Sequence, residues 1–127
     1  MNKVNNYFAV FTNLIQKHIP KVHKILNEHK LPVNLFLFEW IVTLFSNIFE
    51  LKLASWLWDQ IFYFGQIHII KISLSILKCL EDVIVNSSTD YEKIIFTIKS
   101  PEIDEKELFL MIKKMKLDER QILIDLF

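Results

Sequence analysis

Glycine occurs once in these 127 residues, at Gly65; cysteine once, at Cys79; arginine once, at Arg120; and proline three times. Hairpin turns and phosphate-cradling loops need glycine at fixed positions. One glycine therefore argues against a multi-stranded β fold, a Gly-rich nucleotide loop and a G-x-S-x-G nucleophile elbow. One cysteine excludes an internal disulfide framework and fits a reducing compartment. Stretches without a charged side chain, such as Val4–Gln16, Trp40–Phe49 and Gln60–Ile70, fall short of the ~18–20 residues that span a bilayer. The apolar stretch Tyr7–Phe11 is short and broken by Thr12 and Asn13, unlike a secretory leader. No transmembrane segment is expected, and a soluble, cytosolic chain is.

Apolar residues are abundant, at 52%, with eleven Phe. A chain of this size buries about two-thirds of its unfolded surface, so a substantial core is assured, and the scarcity of turn formers makes it helical. The formal net charge is zero but unevenly placed. Residues 1–30 carry five Lys against one Glu (+4), residues 31–80 three of each sign, and residues 81–127 seven positive against eleven negative groups (−4). Such an asymmetry can steer partners at long range, although salt screens it. The lysines are dispersed rather than interleaved with stacking aromatics, so nucleic acid is not an expected partner.

Periodicity predicts about eight short to medium helices in an irregular all-α bundle. Val4, Phe8, Phe11, Leu14 and Ile15 mark a first helix ending near Ile19. Pro20 suits the first turn of a short second one carrying Val22, Ile25 and Leu26. After the Leu31-Pro32 break, a third helix over 34–49 is apolar almost all round, with a narrow polar stripe at Glu39, Thr43, Ser46, Asn47 and Glu50. A helix of that kind is expected at the centre of a fold. A fourth over 51–64 ends at Gly65, where an αL cap is wanted. A fifth over 66–85 shows a polar stripe of His68, Lys71, Ser75, Lys78 and Asp82. Thr89 with Glu92, Asp104 with Glu107 and Asp118 with Gln121 then read as capping boxes that open helices near 90–99, 105–116 and 119–127. No interior linker divides the chain, so residues 1–127 are expected to form one helical lobe.

Site chemistry is sparse. His18, His23, His29 and His68 lack the i, i+4 spacing that puts two metal ligands on one helical face, and no metal or other cofactor is expected. Cys79, among Ile76, Leu80 and Val83, reads as an inert buried thiol. No catalytic residue can be assigned. Trp40, Trp56 and Trp58 read as core, Asp59 as a buried carboxylate, and Gly65 as a helix terminator.

Three segments carry a resemblance. Residues 36–46, Phe36-Leu37-Phe38-Glu39-Trp40-Ile41-Val42-Thr43-Leu44-Phe45-Ser46, resemble a W-F-x-T-L-F-S helix. Residues 57–65, with Trp58, Asp59 and Gly65, resemble W-D-x-x-[FL]-x-x-G. Ile70 through Leu80 resemble an I-x-x-x-L-x-I-L-K run, and Leu14 to Leu26, with Pro20, match the usual approach to them. In this order, over residues 14–85, they resemble the C-terminal half of TBC domains, the all-helical activators of Rab GTPases. The family-signature positions are Trp40, Leu44, Phe45, Trp58, Asp59 and Gly65. Glu39 stands where Arg or another polar residue is more usual, and Asn47 to Leu51 replace an L-P-L-type turn.

The resemblance implies a cytoplasmic regulator of vesicle traffic, peripheral at endomembranes through a Rab. Of the residues themselves, the Glu39, Thr43, Ser46 and Asn47 stripe is the best candidate for a partner-facing groove, with a merely solvated stripe as the equal alternative. The partners implied are a Rab-type small GTPase and either an upstream N-terminal TBC lobe or a second copy. The family is described as inserting an Arg from I-x-x-D-x-x-R and a Gln from Y-x-Q beside the nucleotide. Neither motif occurs here: the sole arginine is Arg120, and none of Gln16, Gln60, Gln66 and Gln121 follows a Tyr at that spacing. The expectation is the C-terminal lobe from a truncated or split gene product, inactive alone, or else a non-catalytic Rab-binding or helical scaffold module. Such a lobe should expose apolar surface on helices 34–49 or 51–64.

Overall fold

The computed structural model describes residues 2–126, with side chains from Tyr7 to Leu126. Val4 of the first helical pattern and Phe127 of the last therefore have their side chains outside the described set. Among the described residues every regular element is helical: α1 (Asn2–His18), α2 (Pro20–Glu28), α3 (Asn34–Val42), α4 (Leu51–Phe64), α5 (Ile67–Cys79), α6 (Glu81–Asn86), α7 (Tyr91–Lys99), α8 (Glu105–Lys114) and α9 (Glu119–Leu126). No helix there is long and apolar enough to cross a membrane.

Local chemistry sets most boundaries. Pro20 occupies the first turn of α2, as its locked φ favours. Asp104 and Asp118 accept the backbone N–H groups of Glu107 and Gln121, at 3.4 and 3.1 Å. At α7 the expected cap is displaced by one residue: Asp90, not Thr89, accepts from the Lys93 N–H at 3.1 Å. An aspartate there satisfies an orphan donor and complements the helix dipole as well.

Three expectations change. The third helix stops at Val42 and residues 43–48 are turns. The fifth divides at Leu80 into α5 and α6, though Leu80 N–H still bonds to the Ile76 carbonyl at 3.1 Å. And α5, rather than α3, is the central helix, packed against α1, α3, α4, α8 and α9. Its polar stripe does not all face solvent, because His68 and Ser75 are buried. The α5 serines are buried because Ser73 and Ser75 return their hydroxyl protons to the Ile69 and Lys71 carbonyls, at 2.9 and 2.7 Å. A serine bonded to the preceding turn brings no unsatisfied donor into the core.

The chain also folds its charged segments together. α1 packs on α9 and α2 on α6, so the basic beginning of the sequence lies against its acidic end.

His68 is 7% exposed, stacked on Phe64 with ring centroids 4.9 Å apart. Its Nε2 has no hydrogen-bond partner among the described residues. Burial, then Lys71, pushes its pKa down to about 4. Below the ordinary value of about 6.5 the unfolded chain gains a proton that the folded chain refuses. Stability is therefore undiminished above pH ~6.5 and falls as pH drops toward 4, by at most about 3 kcal/mol. Urea midpoints measured between pH 7 and pH 4 should show this loss, and His68→Leu should flatten it. An equally steep loss in the variant would remove His68 as the cause.

Candidate functional site

The signature segment 36–46 is a helix end, not a helix. α3 terminates with Thr43 N–H bonded to the Glu39 carbonyl (3.0 Å), Leu44 N–H to Ile41 (3.2 Å) and Phe45 N–H to Trp40 (2.9 Å). The last two form the Schellman pattern that closes helices. That pattern requires a left-handed residue, normally glycine. Here Leu44 (φ 49°) and Phe45 (φ 66°) both adopt positive φ, at a cost of roughly 1–2 kcal/mol each.

Two compensations hold the turn. Phe45 is fully buried and lies 6.4 Å from the Trp40 ring, which in turn lies 4.9 Å from Phe36. From the next helix, Trp58 Nε1–H donates to the Leu44 carbonyl at 2.6 Å. The turn therefore brings Trp40, Leu44, Phe45 and Trp58 into one cluster, with Trp58 pinning the strained peptide.

The polar stripe expected on the third helix is a cap on this turn instead. Ser46 Oγ–H donates to the Thr43 carbonyl at 2.7 Å. Thr43 Oγ1 lies 2.8 Å from the Glu39 carbonyl and 2.7 Å from the Asn47 side-chain amide. The hydroxyl carries one proton, so it donates to the carbonyl and accepts from Asn47 when the amide nitrogen faces it. Thr43, Ser46 and Asn47 thus come together, and the Glu39, Ser46 and Asn47 side chains remain exposed.

Asp59 is exposed, contrary to the buried carboxylate expected, because it lies on the solvent side of α4. Gly65 ends α4 with φ 94° and ψ −176°. That is not the αL conformation expected but a region open essentially to glycine alone. Trp40 is buried; Trp56, stacked on Phe109 at 3.9 Å, and Trp58 are half-buried.

The apolar surface expected on α3 and α4 has a defined location. Leu35, Phe38 and Val42, at i, i+3 and i+7 on α3, are 52–64% exposed, while Phe36, Leu37 and Trp40 face the core. The signal was there: apolar residues all round a helix of nine residues require partners on both sides. Phe62, Tyr63 and Phe64 at the end of α4 are also exposed. Both helices singled out for exposure do present apolar surface.

Elsewhere the titratable groups serve structure. His29 Nε2–H donates to the Ser88 carbonyl at 2.6 Å, joining α2 to the α6–α7 turn. Burial, then Glu107, pushes the Cys79 thiol up to about 11, so it stays protonated at neutral pH. No three His, Cys, Asp or Glu among the described residues group as metal ligands.

Comparison with known proteins agrees with the signature. The Rab-GTPase-TBC domain family model matches residues 1–85. The chain is 33% identical over 105 residues to TBC1 domain family member 12 of Xenopus tropicalis, covering 81% of this chain and 15% of that one. It is 28% identical over 106 residues to human TBC1 domain family member 14, covering 84% and 15%. It is 31% identical over 78 residues to the small G protein signaling modulator 3 homolog of Xenopus laevis, covering 61% and 10%. The chain thus spans 10–15% of the length of these relatives. No solved structure matches. The match begins at residue 1, upstream of the segment that carried the resemblance, and takes in α1 through α5 together with most of α6. With the Trp40–Phe45 turn and its Trp58 brace at its centre, this chain belongs to the Rab-GTPase-TBC domain family.

Proposed function

We propose that the chain acts as the C-terminal lobe of a TBC-type Rab regulator, engaging a Rab-type small GTPase without supplying Arg or Gln fingers. Family membership over residues 1–85 is the observation that carries this reading. Support for a binding role comes from the exposed Leu35, Phe38 and Val42 face, rimmed by Glu39, Ser46 and Asn47. Apolar faces with a polar rim are the usual anatomy of a protein contact. The lobe works at endomembrane surfaces where its Rab resides.

Immobilised Rab·GTP and Rab·GDP, presented as a panel, test the proposal. At least one Rab·GTP should retain the chain, and Phe38→Asp should weaken retention by roughly tenfold or more, as loss of an interface anchor does. Phe38 is half exposed, so the variant keeps its helical circular dichroism. Retention by no Rab would favour the alternative, a helical scaffold without a GTPase partner.

A further inference from the structure

Lysines far apart in the sequence meet at one end of the bundle. α1, α5 and α8 carry basic residues in their last turns: Lys17 and His18, Lys78, and Lys113 with Lys114. Between these ends lies a cleft of about 480 Å³ lined by His18, Lys78, Met111, Lys114, Met115 and Lys116. Every polar side chain of that lining is a lysine or a histidine. Lys78 is bonded to Glu81 at 2.9 Å, and the other lysines of the cleft are exposed. His18 and Lys116 also wall an adjoining cleft of about 210 Å³, where Lys17 is joined by Asp118 and Asp125.

Compensation of helix dipoles accounts for one basic residue at each C-terminus. It does not account for Lys116, which lies beyond α8 and lines the same cleft. We propose that this cleft binds a multiply phosphorylated headgroup, either free in solution or carried on a lipid. Lysine is a point-charge partner for phosphate, whereas planar bidentate carboxylate recognition favours arginine. The volume falls within the range of small-ligand sites, and Met111 and Met115 offer an adaptable apolar floor for ring carbons. Asp118 and Asp125 confine the phosphates to the side of Lys78, Lys114 and Lys116. His18 fits this positive field: burial first, then Lys17 and Lys78, lowers its pKa.

The full chain is titrated with inositol trisphosphate. In parallel it is sedimented with phosphatidylcholine vesicles, with and without phosphatidylinositol bisphosphate. Saturable binding to a phosphorylated probe is expected, and the double variant K114A/K116A should weaken it about thirtyfold, the loss for two lysines facing anionic headgroups. Both lysines are exposed, and unchanged circular dichroism checks that the fold is kept. The imidazole resonance of His18 should shift on binding while that of buried His68 stays put. Retention on vesicles assigns the headgroup to a lipid; binding of the free probe alone assigns it to a soluble phosphate. Absence of saturable binding in both arms overturns the proposal. So does an equal loss in K93A/K99A on α7, which would reduce the effect to diffuse charge.

Discussion

Phe45→Ala lowers the unfolding free energy by about 3–5 kcal/mol, the cost of removing a fully buried aromatic ring. Two effects set that size. The ring is completely enclosed against Trp40, so its loss leaves a cavity. It also sits on a residue with φ of 66°, where burial of this side chain opposes the backbone strain. Urea unfolding followed by tryptophan fluorescence and circular dichroism measures the change. Phe38→Ala, on the exposed side of α3, should cost less than about 1 kcal/mol. Similar losses at the two positions would contradict the division of α3 into a core face and a free face.

Incubated with Rab·GTP in single-turnover assays, the chain leaves hydrolysis at its intrinsic rate. An arginine finger places a fixed planar cation against charge developing in phosphoryl transfer and contributes about 10³–10⁵ in rate. The sole arginine, Arg120, lies exposed in the first turn of α9, outside the family match. Lysine does not substitute, because its compact charge on a flexible stem lacks the guanidinium fork. Acceleration beyond about tenfold would show that another group fills the role. Adding an N-terminal TBC half that bears I-x-x-D-x-x-R and Y-x-Q is expected to restore the rate.

The fold was legible in the sequence where local chemistry decided it. Scarce glycine, helical periodicity, Pro20, and the Asp104 and Asp118 caps placed the helices. Legibility failed where tertiary contacts overrode the pattern. Leu44 and Phe45 give no local sign of positive φ; the Trp58 indole and the buried Phe45 ring impose it. Ser75 looks solvated until its hydroxyl is seen to bond within its own helix. The candidate site was readable as a string of types, and misread as a continuous polar stripe because α3 was carried about two turns too far.

The left-handed pair at 44 and 45 also bears on how the family signature should be read. A β-branched side chain at positive φ is a genuine outlier, so Leu44→Val or Leu44→Ile is barred by the backbone even though either residue would suit the local hydrophobicity. The choice of residue at Leu44 is therefore constrained by its own torsion angle, φ 49°.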